Sequence, residues 1–300
     1  RLVYHLDEPK VGPGAIPQYF VASLAAKHVR VVLTGHGGDE LFAGYPPYLT
    51  AYLADTAKRG GGVEVLRAAK NLPRRVRSEG VKRTLLLPAY SLAEGDLRRY
   101  GRAAFFSDKE AASLLGKPLA ARAKGHDPRT ALEAARKRPR TKSFLNRLLY
   151  LDVKTYLPSL LEVEDRMSMA VSLEGRVPIL DHRLAEFAGS LPAALKVRGM
   201  TLKYLPRKAL AGMLPKDVID HKKMGFPVPI ATWFRGPLRG WVERQLDEAA
   251  VAAAGVLDPT AVRSKLDAQM RGRGNAERLW MLLNVQRWAV TFLGDQVRRP

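Results

Sequence analysis

The segment whose residue types best suit chemistry is a glycine turn followed by two acids. The apolar run VRVVLT (residues 29–34) leads into GHGG (35–38), and Asp39 and Glu40 follow directly. Glycines at such a crossing allow positive φ and close backbone approach, and their exposed N–H groups can bind an anion. Two carboxylates beside a phosphate would repel it unless a divalent cation lay between them, which indicates Mg²⁺ with a nucleotide. The alternative is that the acids only favour the N-terminal end of a helix dipole and that the glycines only form the turn.

A second segment, residues 159–192, carries charges that need an explanation. Acids and bases alternate there through otherwise apolar sequence, and charges in such a setting must pair or bind something. Structural ion pairs of Glu174 with Arg176, or of Asp165 with Arg166, are one interpretation. Contacts with a substrate are the other.

A third segment, HKKMGFPVP (221–229), combines two lysines with residues that fix a loop. Lys222 and Lys223 precede a glycine and two prolines. A lysine on a rigid loop can clamp an anion. Lysines in loops are also commonly just exposed to solvent, so this motif is weak by itself.

A helix and a strand that precede the glycine turn are expected to position its residues. Residues 16–29 (IPQYFVASLAAKHV) have apolar positions at helical spacing after Pro17, and residues 29–34 form a β-branched run. The run is apolar on both faces apart from Arg30, which predicts a strand of a parallel sheet covered by helices on both sides. In such sheets ligands bind at the carboxyl ends of the strands, where the glycine turn lies.

The rest of the chain is expected to be mainly helical. Residues 58–140 are basic, weakly helical and interrupted by Gly and Pro, which indicates a peripheral insertion. A more apolar helix at 141–158 is expected to stop at Pro158. The helix that follows Asp181 is expected to end at Pro192.

Composition narrows the class of protein. The chain has 300 residues, of which 46% are apolar, enough for one large core or two modest ones. It contains no cysteine, which excludes a disulfide framework, a thiol nucleophile and cysteine-ligated zinc. An apolar core helix predicted at 275–293 is too polar to span a membrane, and no signal-peptide pattern opens the chain. We therefore expect a cytoplasmic protein.

The net charge of +21 raises the question of a polyanion partner. Most of the excess lies within residues 58–147, in runs such as PRRVRSEGVKR (73–83) and RKRPRTK (136–142). No aromatic interleaving, zinc finger or RNA-recognition pattern accompanies these runs. We interpret them as solvated helix faces, and a nucleic-acid partner is not expected.

Five segments together resemble the synthetase domain of glutamine-dependent asparagine synthetases, in order and spacing as well as in residues. They are DEP (7–9), IPQY (16–19), VVLTGHGGDELFAGY (31–45), LEVEDRMSMAVSLEGRVPILD (161–181) and LPKDVIDHKKMGFPVPIATWF (214–234). The resemblance implies an α/β fold with a doubly wound parallel sheet of the adenine-nucleotide alpha-hydrolase (PP-loop ATP pyrophosphatase) type and a large helical portion. The family's SGGxDS loop and glutaminase domain have no counterpart here, so we expect them upstream of residue 1 and the sheet to be incomplete at its N-terminus.

The resemblance also divides the chain into four parts. They are the remainder of the α/β nucleotide-binding layer (1–57), the basic helical insertion (58–140), the synthetase core with the acceptor and pyrophosphate motifs (141–235), and C-terminal helices (236–300).

The activity that the resemblance implies is that of an ATP-dependent amide ligase. Members of the family adenylate the side-chain carboxylate of aspartate, release pyrophosphate, and let ammonia from glutamine attack the acyl-adenylate to give asparagine and AMP. The expected cofactors and partners are ATP, Mg²⁺, aspartate or another carboxylate, and ammonia from a glutaminase domain. The chain by itself is expected to be inactive, and a homodimer stays open.

Site residues carry over from the family by their position in the motifs. Asp39 would bind Mg²⁺, and Lys223, in the KxGF position, would stabilise the charge that develops on departing pyrophosphate. His36 and Lys223 are the candidate catalytic residues. The nucleotide and the intermediate would be lined by Thr34, Gly35, Gly37 and Gly38, and the acceptor pocket would be shaped or braced by Asp165, Arg166, Glu174 and Arg176.

His36 departs from the family, whose members usually have Glu or Asp at this position. A neutral histidine can accept a proton near neutral pH, but it cannot supply the negative charge. The difference keeps open a related amidotransferase or a cyclising ligase that acts on another carboxylate, as well as a histidine that is merely satisfied at the strand end. A further hypothesis is an inactive remnant that serves as a basic binding module.

Overall fold

The computed structural model describes residues 1–10, 12–61, 106–127, 129–221, 225 and 228–294. Within these ranges the protein is an α/β structure, mostly helical, with one two-stranded parallel sheet. The strands are β1 (Val31–Leu33) and β2 (Glu174–Arg176), and a 3₁₀ turn follows at Pro178–Leu180. The helices are α1 (Leu2–Leu6), α2 (Ala15–Ala25), α3 (Gly38–Phe42), α4 (Pro47–Lys58), α5 (Asp108–Leu114), α6 (Lys117–Arg122), α7 (Arg129–Arg136), α8 (Phe144–Met169), α9 (His182–Ser190), α10 (Ala193–Lys196), α11 (Tyr204–Ala209), α12 (Lys216–Asp220), α13 (Ile230–Arg235), α14 (Arg239–Gln245), α15 (Glu248–Ala254), α16 (Pro259–Met270) and α17 (Ala276–Phe292).

The predicted strand before the glycine turn is confirmed, and helix α2 precedes it. β1 runs parallel to β2, with Val31 opposite Glu174 and Leu33 opposite Arg176. One bond beyond the ladder, the N–H of Thr34 donates to the carbonyl of Arg176 at 2.8 Å. The glycine turn therefore begins at the carboxyl end of a parallel strand.

The expectation that β1 is covered on both faces is wrong for the described part of the chain. Val31 is 41% exposed and Leu33 is 73% exposed. These two side chains lie on the same face of the strand because side chains alternate along β structure. The described residues leave that face uncovered.

Helix α8 is longer than the sequence predicts. It spans 26 residues with Pro158 inside it, so the expected stop at this proline is wrong. An interior proline removes one helical hydrogen bond and costs about 3 kcal/mol. The helix continues because its second half is packed: Leu157 is 4% exposed and Met167 is fully buried.

The start of α8 is fixed by two side chains. Ser143 accepts a hydrogen bond from the N–H of Asn146 at 3.2 Å. Asp55, from α4, accepts bonds from the N–H groups of Phe144 at 2.8 Å and Leu145 at 3.1 Å. A carboxylate at a helix N-terminus also interacts favourably with the helix dipole. The helix therefore begins where three of its first free N–H groups find side-chain acceptors, from its own cap and from α4.

Buried apolar residues form several clusters. Helix α4 and the first half of α8 pack around Tyr48, whereas α13 to α17 pack around Phe234 together with Leu114 of α5. A cluster of α3, the 3₁₀ turn and α9 contains Phe42, and another that joins α1, α2 and α8 contains Met167. The α3 cluster anchors the glycine turn to the elements that follow β2.

Two other helix predictions are confirmed. Helix α9 begins after its N-cap Asp181, which accepts the N–H of Arg183 at 2.9 Å, and ends at Ser190, before Pro192. Helix α17 lies within the predicted segment and contributes buried leucines to the C-terminal cluster.

Much of the basic insertion cannot be compared with its prediction, because residues 62–105 lie outside the described ranges. The described remainder of 58–140 contains α5, α6 and α7. The four-part division of the chain stays a prediction. Over the ranges that are described, no helix has the length and apolar character needed to cross a membrane.

Candidate functional site

The glycine turn between β1 and α3 owes its geometry mainly to one residue. Gly37 has a φ of 87°, in the left-handed region, and a Cβ there would lie 2.1 Å from Cδ2 of Leu180. Both its conformation and its surroundings therefore require glycine. A Cβ at Gly38 would lie 3.5 Å from Cδ1 of Ile179, which is ordinary contact, and a Cβ at Gly35 would meet no atom within 4 Å.

Asp39 lies in the first turn of α3 and is buried, with 9% exposure. Its Oδ1 lies 2.8 Å from Nζ of Lys203, the residue that precedes α11. A buried carboxylate is costly unless a cation or hydrogen bonds compensate its charge, and Lys203 supplies such a cation.

Glu40 has a different environment from Asp39. It is 1% exposed and accepts a hydrogen bond from Oη of Tyr45 at 2.5 Å. Burial, with the hydrogen bond to Glu40, raises the pKa of Tyr45. The two acids therefore have different partners, Tyr45 for Glu40 and Lys203 for Asp39. Only Asp39 of this pair remains a candidate metal ligand.

His36 lies beside a buried glutamate. Its Nδ1 is 3.0 Å from Oγ1 of Thr34, and the imidazole is partly buried. Glu164 of α8 is 6% exposed, and its carboxylate lies so close to β2 that a Cβ at Gly175 would be 2.2 Å from Oε1. Burial raises the pKa of Glu164, and the charge of His36 opposes that rise. An imidazole and a carboxylate therefore share one electrostatic environment at the carboxyl end of the sheet.

Comparison with known proteins identifies the family. The family model described as asparagine synthase matches residues 1–290. The chain belongs to the asparagine synthase family. Asparagine synthetase [glutamine-hydrolyzing] 1 of Bacillus subtilis is 33% identical over 297 residues, which cover 96% of this chain and 44% of that protein. Asparagine synthetase [glutamine-hydrolyzing] 3 of the same organism is 31% identical over 201 residues, 67% of this chain and 27% of that protein. The chain thus spans less than half the length of these curated relatives.

The four residues that the asparagine synthase motifs assign to an acceptor pocket are exposed. Nε of Arg176 lies 2.8 Å from Oε1 of Glu174, so the ion pair considered for these residues is present at the surface. Arg166 does not fit the pair considered with Asp165, because its guanidinium lies 2.9 Å from Oδ2 of Asp7 in the DEP motif. Exposed pairs of this kind contribute about 0–1 kcal/mol, so their partners can be exchanged at little cost. Their role in a pocket stays a prediction.

Lys223 and Lys222 lie outside the described residues, so the structure does not test the predicted pyrophosphate contact.

The residues fit a metal that is held mainly by phosphates. In the described part of the chain, no group of three or more His, Asp or Glu residues is arranged to hold a metal ion. Mg²⁺ in nucleotide sites is usually bound by one or two carboxylates together with substrate phosphates. Asp39 beside a glycine turn is a donor of that type, and its contact with Lys203 shows that a positive charge is stabilised at this position.

Sequence reasoning assigned no role to three residues of this site. Lys203 comes from a distant helix start, and Tyr45 is the last residue of the glycine-turn motif. Glu164 was one of several acids in its segment. Its spacing was informative: it lies seven residues after Leu157 and three before Met167, on the buried face of α8.

Proposed function

We propose that the protein is an ATP-dependent amide ligase that adenylates the side-chain carboxylate of aspartate and uses ammonia from glutamine to form asparagine. One observation carries this proposal. In a chain of the asparagine synthase family, the glycine turn and buried Asp39 directly follow a parallel strand, where open α/β sheets bind ligands. Relatives named as glutamine-hydrolyzing asparagine synthetases support the choice of product and nitrogen source.

The first step would be activation of the acceptor. An oxygen of the aspartate carboxylate attacks the α-phosphorus of ATP. The bond from the α-phosphorus to the oxygen that bridges it to the β-phosphorus breaks, and pyrophosphate leaves. The N–H groups of the turn from Gly35 to Gly38 would bind phosphate oxygens, and Asp39 would bind Mg²⁺. Bound Mg²⁺ would neutralise phosphate charge. We assign Lys223 to the charge on the leaving pyrophosphate.

The second step would be amide formation. Ammonia attacks the acyl carbon, the bond to AMP breaks, and the nitrogen must lose a proton. We assign His36 as the acceptor of that proton, because a neutral imidazole accepts protons near neutral pH. The nearby carboxylate of Glu164 would stabilise the imidazolium that forms. This arrangement would replace the acid that other members usually have at the position of His36.

The acceptor would bind at the exposed charged residues of the second motif. We propose that Arg166 and Arg176 exchange their surface ion pairs with Asp7 and Glu174 for contacts with the charged ends of aspartate, to which Asp165 and Glu174 also contribute.

The proposal includes a nucleotide-binding sheet of the adenine-nucleotide alpha-hydrolase type and a cytoplasmic site of reaction, where ATP and amino acids are available.

The proposal is tested by AMP and pyrophosphate release from the complete native protein, with ATP, Mg²⁺ and either glutamine or ammonium. Aspartate should stimulate release, and a panel of other carboxylates should not. Asp39→Asn should abolish the stimulation. The matched control is Asp267→Asn, which removes a partly exposed acid that pairs with Arg263 on α16 and should leave the rate unchanged.

Two results would reject the proposal. Release that aspartate does not stimulate would remove aspartate as the acceptor, and stimulation by another carboxylate would favour a related amidotransferase or cyclising ligase. A normal rate for Asp39→Asn would remove the assigned metal ligand.

A further inference from the structure

We propose that Lys203 is a placeholder cation: it holds the buried carboxylate of Asp39 in place, and it gives up this contact when the nucleotide-bound metal arrives. The inference rests on the proposed function, because it takes Asp39 as the metal ligand. Lys203 lies outside every segment that carries the family resemblance, and it is a positioning residue rather than a catalytic one.

The contact is close and partly shielded from water. Nζ of Lys203 lies 2.8 Å from Oδ1 of Asp39, and the two side chains are 35% and 11% exposed. A carboxylate with so little exposure needs a cation beside it. Removing that cation therefore destabilises the protein more than removing one partner of an exposed ion pair does. Lys203 supplies this charge in the protein without nucleotide.

The backbone holds Lys203 in one position. Its φ is 52°, in the left-handed region that non-glycine residues seldom adopt. A tight turn precedes it, in which the N–H of Thr201 donates to the carbonyl of Arg198 at 3.0 Å. Helix α11 follows, and the N–H of Arg207 donates to the carbonyl of Lys203 at 3.0 Å. A strained conformation fixed from both sides is typical of residues with a required direction.

A third element makes room for the pair. A Cβ at Gly44 would lie 1.8 Å from Oδ1 of Asp39 and 2.4 Å from Cε of Lys203. Gly44 does not have a left-handed φ, so the reason for glycine is space alone. Any other residue at this position would push the carboxylate and the ammonium apart.

Two cations cannot share Oδ1 of Asp39 without strong repulsion, so a metal that binds this oxygen must displace the lysine. The displaced ammonium would remain near the turn, since Nζ lies 3.8 Å from the point where a Cβ on Gly38 would be. The metal therefore binds more weakly than it would to an Asp39 that had no lysine. In exchange, the carboxylate is already oriented before the nucleotide enters.

The test uses Lys203→Met in the complete native protein, which removes the charge and keeps most of the side-chain length. Without ligand, the variant should melt at a lower temperature than the wild type. With Mg²⁺ and a non-hydrolysable ATP analogue, its melting temperature should rise more than that of the wild type. The apparent dissociation constant for Mg²⁺, taken from melts over a range of Mg²⁺ concentrations, should be about tenfold lower.

Two controls separate this role from simple stabilisation. Lys203→Arg keeps the charge and should restore the wild-type response to Mg²⁺. Lys10→Met removes another buried lysine, whose Nζ lies 2.6 Å from Glu162, and should lower the melting temperature without changing the response to Mg²⁺.

The outcomes are distinct. A response of Lys203→Met that is equal to or smaller than that of the wild type would overturn the inference, because the lysine would then be a structural brace or a phosphate ligand. A wild type that does not respond to Mg²⁺ with the analogue would instead reject the proposed function. If Lys203→Met does not fold, Lys203→Gln gives the same two readings.

Discussion

Replacing Gly37 by alanine should lower the free energy of unfolding by about 2–5 kcal/mol. About 1–2 kcal/mol comes from holding a non-glycine residue at a φ of 87°. A further 1–3 kcal/mol, roughly, comes from overpacking, because the new Cβ would lie 2.1 Å from Cδ2 of Leu180. For 300 residues the entropy of unfolding is about 0.6 kcal/mol/K, so the loss corresponds to a fall in melting temperature of roughly 3–8 °C.

The assay is thermal unfolding of the complete native protein, followed by far-UV circular dichroism. Gly35→Ala is the matched control: it adds the same methyl group two residues away, where no atom lies within 4 Å, and should change stability by less than about 0.5 kcal/mol. The double variant Gly37→Ala/Leu180→Ala should be less destabilised than the sum of its two single variants, by about 1–3 kcal/mol.

Two results would refute this reasoning. If Gly35→Ala costs as much as Gly37→Ala, the turn is sensitive to any added side chain and the specific clash is irrelevant. If the two single losses simply add in the double variant, the contact with Leu180 does not cause the steric part of the loss.

Three further predictions concern buried polar groups. Burial lowers the pKa of Lys196 to about 8, whereas the lysine of the unfolded chain keeps its proton up to about pH 10.5, so the free energy of unfolding should rise by about 3 kcal/mol between these pH values. Lys196→Met should flatten that rise in melts at different pH values, and an unchanged profile would contradict the assignment. Asp55→Asn should destabilise the protein by about 1–3 kcal/mol in thermal melts, because the first N–H groups of α8 lose their carboxylate acceptor, and an unchanged melting temperature would rule this out. Tyr45→Phe should cost a similar amount, roughly 1–3 kcal/mol by the same melts, because buried Glu40 loses its hydroxyl donor, and a variant as stable as the wild type would show that the bond is dispensable.

The part of the site that the sequence predicts is the part built from neighbouring residues. A β-branched run followed by glycines specifies a strand and a turn locally, and the positive φ of Gly37 follows from that pattern. Asp39 and His36 could be predicted as site residues because they belong to the same local pattern. Whether β1 is covered depends on what packs on it, and a strand of three residues carries no information about that.

The error at Pro158 also concealed Glu164. A helix that stops at this proline leaves the later acids in an irregular segment, where burial cannot be inferred from spacing. Once α8 continues through the proline, Leu157, Glu164 and Met167 fall on one face, and the glutamate is buried with them. The rule that proline ends a helix failed because tertiary packing compensates for the missing hydrogen bond.

Lys203 was beyond reach for a different reason. It is more than 160 residues from Asp39, and its neighbours in sequence resemble an ordinary basic loop and helix start. The pairing follows from the meeting of α3 and α11 in three dimensions. Long-range ion pairs of single residues have no periodicity that a sequence pattern can show.

The proline inside α8 has a consequence for cooperativity. On one side of it, the helix is bonded to α4 through Asp55 and packs in the cluster that contains Tyr48; on the other, Met167 belongs to the cluster of α1 and α2. The interrupted hydrogen-bond ladder joins these halves weakly at one point. A disturbance in one cluster therefore reaches the other through a helix that lacks one of its hydrogen bonds at the junction.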